Sequence, residues 1–218
     1  MRKVVSALAA AAVAFLSMSS TSWAQRRADP GTFDYYLLTL SWSPAFCAKA
    51  KDAADPDQCG LERKFGFVVH GLWPQYTNGG YPASCMRDRT VPKAVVDQTM
   101  PIMPSVGLIV HQLSKHGTCS GLNATDYFAR LREAYAKVKI PDAIQSPTDG
   151  LSVPAMQVER LFMQANPGLE PESIAVICSK RNVTEVRLCL SKDLNTFIPC
   201  GAKVDDRCRR DAVLSTAH

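Results

Sequence analysis

Runs of aromatic and aliphatic residues mark the predicted strands of this chain. The segment Phe33–Trp42 is mostly aromatic and aliphatic, as in a strand at the centre of a sheet. Three further segments carry a strand signal, and a fourth is expected to close a hairpin or a sheet edge. The three are Lys64–His70, Ile174–Cys178 and Val186–Leu190, and the fourth is Phe197–Cys200.

Apolar residues that recur at helical spacing predict the helices. Asn123–Val138 has such a face, with a polar start and a stop at Pro141. Met156–Ala165 has another between two prolines, and a short helix is expected at Pro92–Gln98. Since no internal repeat accompanies this mixture of helices and strands, it predicts one α+β domain.

Polar, glycine-rich and proline-rich stretches predict the connections. We expect Pro44 to turn the chain out of the first strand, and we expect Lys49–Gln58 to form a loop closed by cysteines. Gly71–Ala83 contains three glycines and two prolines, so it predicts a loop that begins directly after His70.

The first residues have the composition of a secretory signal peptide. A basic start precedes the apolar run Val4–Leu16, and Ser22-Trp23-Ala24 is a small-x-small cleavage signal. We therefore expect residues 1–24 to be removed and residues 25–218 to form a single domain. The apolar run is shorter than the roughly 20 residues that a membrane span needs, so we expect a protein exported to the periplasm or the medium without a membrane anchor.

Export changes the meaning of the eight cysteines, because thiols form disulfides in an oxidising compartment. No Cys-x-x-Cys pair is present, so four disulfides are expected rather than a zinc site. Sequence proximity favours Cys47 with Cys59 and Cys189 with Cys200, and it leaves the pairing of the other four cysteines open. Those four are Cys85, Cys119, Cys178 and Cys208.

The net charge contributes little to the functional assignment. The chain has 25 basic and 20 acidic residues, and removal of the two basic residues of the predicted signal leaves a charge of +3. This excess is too small to indicate a nucleic-acid partner by itself. We interpret the one basic cluster, Arg207, Arg209 and Arg210, as a solvated tail.

Three of the four histidines fall in two short stretches, residues 67–75 and 105–121. A helix over the second stretch would place four polar side chains within about 140° of one another and turn Leu113 toward a core. The four are His111, Gln112, Lys115 and His116. An isolated histidine is more often structural than catalytic, but this concentration predicts a site where the two stretches meet. Histidines five positions apart on a helix are poorly placed for one metal ion, so we expect no metal and no cofactor.

These side chains suit the cleavage of RNA. Two imidazoles can serve as base and acid near neutral pH, and a lysine can stabilise a phosphate oxygen. A base removes the proton of the 2′-hydroxyl, which attacks the adjacent phosphorus, and an acid protonates the 5′-oxygen that leaves. Trp73 and Tyr76 are equally consistent with core packing and with base stacking.

The segments His70-Gly71-Leu72-Trp73-Pro74 and His111-x-x-x-Lys115-His116-Gly117-Thr118-Cys119 occur in that order. Together they closely resemble the two active-site segments of the ribonuclease T2 family, which comprises secreted, base-nonspecific endoribonucleases. The earlier segment Ser41–Cys47 is also similar to the family's strand-and-cysteine segment. The resemblance covers Phe33 to about Cys208.

The resemblance implies a mixed, mainly antiparallel central sheet flanked by helices, and RNA cleavage through a 2′,3′-cyclic phosphate without a metal. It implies that His116 is the base and His70 the acid. His111 and Lys115 would hold the phosphoryl group, and Trp73, with Gln75 and Tyr76, would bind the substrate. The family pattern would add Cys85–Cys119 and Cys178–Cys208 to the two disulfides favoured by proximity.

The chain departs from the family pattern at Gln112, where the family has Glu, and at Leu113, where it has Trp. Gln112 can still donate an amide hydrogen bond to a phosphoryl oxygen, but it removes a negative charge beside several potential cations. We therefore expect the neighbouring histidines to lose protons more readily than in relatives with Glu. We expect the change at Leu113 to alter packing only.

We predict a monomeric endoribonuclease that acts on single-stranded RNA and needs no protein partner. The alternative is an exported RNA-binding or toxin-like module that keeps the scaffold with weak or no turnover. A purely structural disulfide-bonded domain would leave the clustered histidines unexplained. Base preference and physiological role stay open.

Overall fold

The computed structural model describes residues 28–50, 55–60, 62–146, 148 and 150–216. The predicted signal peptide lies outside these residues. The described part of the chain contains six strands: β1 Tyr35–Trp42, β2 Phe67–Gln75, β3 Ser152–Pro154, β4 Ile174–Ser179, β5 Asn182–Ser191 and β6 Val213–Ser215. They form one sheet in the order β2-β1-β5-β6-β3, with β4 paired to β5. All named pairings are antiparallel except β5 with β6. This sheet confirms the predicted fold class.

The described residues include six α-helices, several of them capped by polar side chains. Ser105 Oγ accepts a hydrogen bond from the amide of Leu108, and Asn123 Oδ1 accepts one from Asp126, so each side chain pairs an amide that the helix start leaves free. The helices are α1 Ser43–Ala50, α2 Pro56–Cys59, α3 Lys93–Thr99, α4 Val106–Lys115, α5 Ala124–Ala136 and α6 Ala155–Ala165. None of the helices in this described part has the length and apolar character needed to cross a bilayer.

The main core lies between one face of the sheet and the helices. Alternate residues of β1 from Tyr36 to Trp42 enter this core, where they meet Ile109 and Leu113 of α4. The intervening β1 residues Tyr35 and Leu37 face the other way, into a small second cluster that includes Cys189. The sheet therefore has one face covered by the core and another that is free to carry a site.

The predicted helices and most strands are confirmed to within a few residues, but three predictions are wrong. Pro44 does not turn the chain out, because it is the second residue of α1, where proline costs no hydrogen bond. The stretch 49–58 is not simply a loop, because it contains the end of α1 and most of α2. Strand β2 runs through His70 to Gln75, so the following loop begins later than predicted. The short strands β3 and β6 were not predicted.

Four disulfides connect the eight cysteines and leave none free. All four expected pairings are confirmed, including the two that only the family resemblance had implied. They are Cys47–Cys59, Cys85–Cys119, Cys178–Cys208 and Cys189–Cys200. The segment near Phe197 folds back on the end of β5 through a bridge to Leu190 and a hydrogen bond from the amide of Ile198 to Cys189, so it closes a hairpin without forming a full strand.

Candidate active site

A bulge in β2 sets the direction of His70. Thr39 of β1 pairs with Gly71 and Leu40 pairs with Val69, so His70 is an extra residue opposite this junction. Residues three apart in a regular strand point to opposite faces. The inserted residue removes that alternation, and both His70 and Trp73 lie on the face opposite the main core, with their ring centroids 5.1 Å apart.

The end of α4 sets the position of His116. The helix is anchored through its buried residue Leu113 and ends at Lys115, so His116 lies at its C-cap. A single turn of 3₁₀ helix follows at Gly117–Cys119. The residues of the predicted polar face differ in burial: His111 is exposed, whereas Gln112 is only 1% exposed and His116 only 5%.

The indole of Trp73 connects the two histidine-bearing segments. The ring of His116 stacks on it at 5.0 Å between centroids and 22° between planes. Trp73 Nε1 donates a 2.7 Å hydrogen bond to Gln112 Oε1, and the guanidinium of Arg187 lies 5.5 Å from the ring centroid. The tryptophan is thus in contact with side chains from β2, α4 and β5.

Gly71 makes this arrangement sterically possible. A Cβ atom at this position would lie 2.2 Å from Gln112 Oε1 and 2.3 Å from Trp73 Nε1. Both atoms belong to the hydrogen bond between α4 and β2. Any side chain at Gly71 would displace that bond, so the glycine is required by close approach.

The ring of His70 is oriented by a carboxylate from β5. Its Nδ1 lies 2.8 Å from Glu185 Oε1, and Glu185 Oε2 accepts two hydrogen bonds from Arg187. Burial works against ionisation of Glu185, but the hydrogen bond and charge of His70 and the charge of Arg187 together lower the pKa of its carboxyl. An ionised carboxylate at Nδ1 leaves Nε2 as the free nitrogen of His70.

The environment of His116 favours its neutral form. Burial, followed by the charges of Lys115, His111 and His70, lowers its pKa from 6.5 to about 3. Its Nδ1 is buried without a hydrogen-bond partner among the described residues. The ring is consequently a neutral imidazole at neutral pH.

The loop after β2 covers the same region. Tyr81 lies 5.4 Å from His116 between ring centroids, and its ring is 5.9 Å from Lys115 Nζ. The amide of Ser84 donates to the carbonyl of Lys115, and the Cys85–Cys119 disulfide holds the loop to the turn that follows His116. The loop is thus attached to the end of α4 before His116 and to the 3₁₀ turn after it.

Two pockets flank the Trp73 and histidine cluster. One, of about 240 Å³, is lined by Trp73, Gln75, Tyr81 and Arg187 together with the chain near Lys203. The other, of about 250 Å³, opens beside His70 and Glu185 and is lined on its far side by α1 and α2. A substrate that passes over the cluster can therefore place one group on each side.

The structure brings together most of the predicted site residues. His70, Trp73, Gln112, Lys115 and His116 form one connected group, and His111 is close enough to act on His116 through its charge. Gln75 is buried at the pocket wall, whereas Tyr76 is half-buried and packs against the main core.

Three residues of this region were not predicted. Glu185 and Arg187 stand two apart among apolar residues of β5, and that charged pair on one face of a strand was a usable signal. Tyr81 follows two glycines in a loop, and nothing in the sequence distinguishes it from Tyr76 as a candidate for base stacking. In the fold Tyr81 is 46% exposed beside His116.

Among the residues described, no three His, Cys, Asp or Glu side chains form a group that could hold a metal ion. The contacts instead join two imidazoles, an ammonium and an amide around one indole. Together with a disulfide-bonded α+β fold, these side chains are typical of an enzyme that works by acid–base chemistry.

Comparison with known proteins gives the family. The sequence model described as "Ribonuclease T2 family" matches residues 33–200. A ribonuclease from Aeromonas hydrophila is 35% identical in a 206-residue alignment that covers 89% of this chain and 91% of the relative. The chain belongs to the ribonuclease T2 family and is an RNA-cleaving endoribonuclease of that type.

Solved structures show the same fold. Ribonuclease MC1 from the seeds of bitter gourd superposes with a TM-score of 0.64 at 22% identity, covering 84% of this chain and all of that one. RNase NT in complex with 5′-AMP superposes with a TM-score of 0.59 at 22% identity, covering 80% of this chain and 98% of that one. At these identities the likeness establishes the architecture alone.

Proposed function

We propose that the protein cleaves single-stranded RNA, with little base specificity, by attack of the 2′-oxygen on the adjacent phosphorus. The P–O5′ bond breaks, and the products are a 2′,3′-cyclic phosphate and a free 5′-hydroxyl. No metal takes part. The observation that carries this proposal is the contact of His70 and His116 with one indole, because it brings two proton-transfer groups from separate elements within reach of one phosphodiester.

In this proposal His116 is the general base. It is a neutral imidazole at neutral pH, and its unprotonated ring nitrogen can accept the proton of the 2′-hydroxyl. An imidazole with a pKa of about 3 is a weak base in the empty site. The cations that help to lower this pKa are Lys115, His111 and His70, so an anionic phosphodiester bound among them would offset their charge. Substrate binding would then raise the basicity of His116 toward the working pH.

His70 is the general acid in this proposal. Glu185 holds Nδ1, so Nε2 of a doubly protonated His70 is the atom that donates a proton to the leaving 5′-oxygen. His70 also lies beside the pocket formed with α1 and α2, which offers space for the leaving nucleoside.

Lys115, His111 and Gln112 hold the phosphoryl group. Gln112 Oε1 is committed to Trp73 Nε1, so its amide nitrogen is the atom left to donate to a phosphoryl oxygen. Lys115 supplies a compact positive charge that stabilises the negative charge of the transition state.

The nucleoside that carries the 2′-hydroxyl would occupy the pocket beside Trp73. Tyr81 offers an exposed ring next to His116, which suits base stacking without base selection. We retain Trp73 and Gln75 as substrate-binding residues and assign Tyr76 a packing role. RNase NT binds 5′-AMP on the same fold, which supports a nucleotide site here.

Four disulfides are consistent with export, since such bonds persist in oxidising compartments. We propose that the protein acts in the periplasm or the medium, as a monomer with RNA as its only obligate partner.

The experiment compares two substrates that differ only in their leaving group. A dinucleotide needs the departing 5′-oxygen to be protonated, whereas a nucleoside 3′-(4-nitrophenyl phosphate) releases a phenoxide that needs no acid. We expect His116→Ala to lower kcat at least 100-fold on both substrates, and His70→Ala to lower it on the dinucleotide alone. His218→Ala, at the histidine outside the two active-site segments, is the matched control.

The products and the metal requirement are measured in the same assay. We expect cyclic-phosphate ends by mass spectrometry at an unchanged rate in excess chelator. RNA binding without such ends, loss of activity in chelator, or equal effects of the two histidine variants on both substrates would contradict the proposal.

A further inference from the structure

The two pockets beside the catalytic cluster differ in charge. Three cationic side chains line the pocket at Trp73, namely Arg187, Lys203 and Arg207, and its described lining contains no carboxylate. The pocket at His70 instead combines Lys49 with the carboxylates of Asp55 and Glu185. Because Arg187 is already paired with Glu185, it is the charge of Lys203 and Arg207 that favours an anion on the Trp73 side of the cluster.

Two of these cations are free to meet an anion. Within the described residues neither Lys203 nor Arg207 forms an ion pair, and the guanidinium of Arg207 donates only a long 3.4 Å hydrogen bond to the carbonyl of Lys203. By contrast, Arg181 and Arg209 are paired with Asp211. The interpretation of the basic cluster as a solvated tail is thus wrong for Arg207, which belongs to a pocket wall.

The segment that carries Lys203 and Arg207 is held in place from both ends. Cys200 is bonded to β5 through Cys189, and Cys208 is bonded to β4 through Cys178. Between them, the amide of Ala202 donates to Thr77 in the loop after β2. Because the backbone of this segment is already fixed, binding an anion there requires ordering of the cationic side chains alone.

The same contacts place Lys203 against the loop that carries Tyr81. A Cβ atom built on Gly79 would lie 3.4 Å from Lys203 Cδ, so the stem of this lysine crosses the turn just before Tyr81. Lys203 therefore lines the same pocket as Tyr81, at the end where the turn before Tyr81 meets the segment after Cys200.

We propose that Lys203 and Arg207 form a phosphate-binding subsite for the phosphate on the 5′ side of the nucleoside seated at Trp73 and Tyr81. This inference rests on the proposed function, which puts the 2′-hydroxyl of that nucleoside beside His116. With its 3′-phosphate at the catalytic cluster, its 5′-phosphate leaves the pocket on the other side, where the two cations lie. The subsite makes no contact with the reacting atoms and acts by holding the RNA chain.

The test compares a dinucleotide with the same dinucleotide carrying a 5′-phosphate. We expect the protein to cleave the phosphorylated form with a kcat/KM about 5-fold higher, through a lower KM, since one partly exposed ion pair contributes a factor of this size. Lys203→Gly should lower this preference and should affect cleavage of the unphosphorylated dinucleotide less than cleavage of the phosphorylated form. Arg207→Gln should reduce the preference.

Lys180→Gly is the matched control. Lys180, in the turn between β4 and β5, and Lys203 both have positive φ angles, 56° and 74°, so glycine relieves backbone strain at either site while removing one charge. The control should keep the preference of the native protein. The subsite would be overturned if Lys203→Gly kept the native preference for the 5′-phosphorylated dinucleotide. It would also be overturned if Lys180→Gly lost as much of that preference as Lys203→Gly. Failure to cleave either dinucleotide would instead overturn the proposed function.

Discussion

Burial gives the His116 side chain its chemical character. The ring is stacked on Trp73 and only 5% exposed, so its charged form loses hydration that no described partner of Nδ1 replaces. The same desolvation that makes it a neutral acceptor also links the stability of the fold to pH.

The sign of this linkage follows from a folded pKa of about 3 and an unfolded value of 6.5. The stabilising contribution is complete above pH 6.5 and is lost as the pH falls toward 3, because the unfolded chain then binds the proton more readily. The free energy of unfolding should fall between pH 7 and pH 4.5, and we expect this fall to be about 2 kcal/mol smaller in His116→Asn than in the native protein. Urea denaturation measures this, with His111→Asn, an exposed histidine of the same helix, as control. An equal drop in the native protein and His116→Asn would contradict it.

The residue at position 112 also influences the pKa of His116. A carboxylate at this position would keep the hydrogen bond from Trp73 and would raise the pKa of His116 by adding a negative charge nearby. We expect Gln112→Glu to move the acid limb of the kcat/KM profile to higher pH by about half a unit or more. Gln112→Met removes the hydrogen bond without adding charge. It should lower kcat/KM and leave the pH of the acid limb unchanged. Coincident profiles for the native protein and Gln112→Glu would reject this effect.

Strand β1 lies between the two strands that carry His70 and Glu185, which are β2 and β5. Ser41 of β1 pairs with Val68 on one side and with Glu185 on the other. The bulge lets the His70 ring reach across this strand to the carboxylate. Orientation of the proposed acid therefore depends on a strand distant in sequence.

Removal of the carboxylate should affect only reactions that need the acid. We expect Glu185→Ala to lower kcat on a dinucleotide at least 10-fold with little change in KM, and to leave cleavage of a 4-nitrophenyl phosphodiester unaffected. Glu185→Gln keeps an oxygen that can accept from Nδ1 and should recover part of the loss. A parallel fall on both substrates would indicate a structural role instead.

At the scale of the whole molecule, two disulfides close loops of similar length but differ in what they hold. Cys85–Cys119 spans 34 residues and attaches the Tyr81 loop to the turn after His116. Cys178–Cys208 spans 30 residues and attaches the segment with Lys203 to β4. Similar loop lengths imply similar effects on the entropy of the unfolded chain.

Replacing both cysteines of either pair by alanine should therefore lower the free energy of unfolding by about 3–4 kcal/mol in each case. The two variants should differ in kcat. We expect the variant without Cys85–Cys119 to lose at least 10-fold in kcat on dinucleotides, because the groups around His116 become less ordered, whereas the other variant keeps its kcat. Equal kcat values in the two folded variants would contradict this difference.

Local sequence patterns determined much of this protein. The apolar face and capping residue of α5, the apolar β1 and the two histidine-bearing stretches could all be identified because helices, strands and motifs are short-range features. The family resemblance added the disulfide pairing and the mixed sheet. The class of enzyme follows from the same motifs, which the family comparison confirms.

Tertiary structure alone decided how the site is assembled. Whether β2 ends at His70 or bulges there depends on its register with β1, and the partner of His70 comes from a strand more than a hundred residues later. Tyr81 and Arg207 acquire a place in the site only because loops pack together and disulfides hold them. Such contacts depend on the path of the whole chain, so no local pattern of residues could have predicted them.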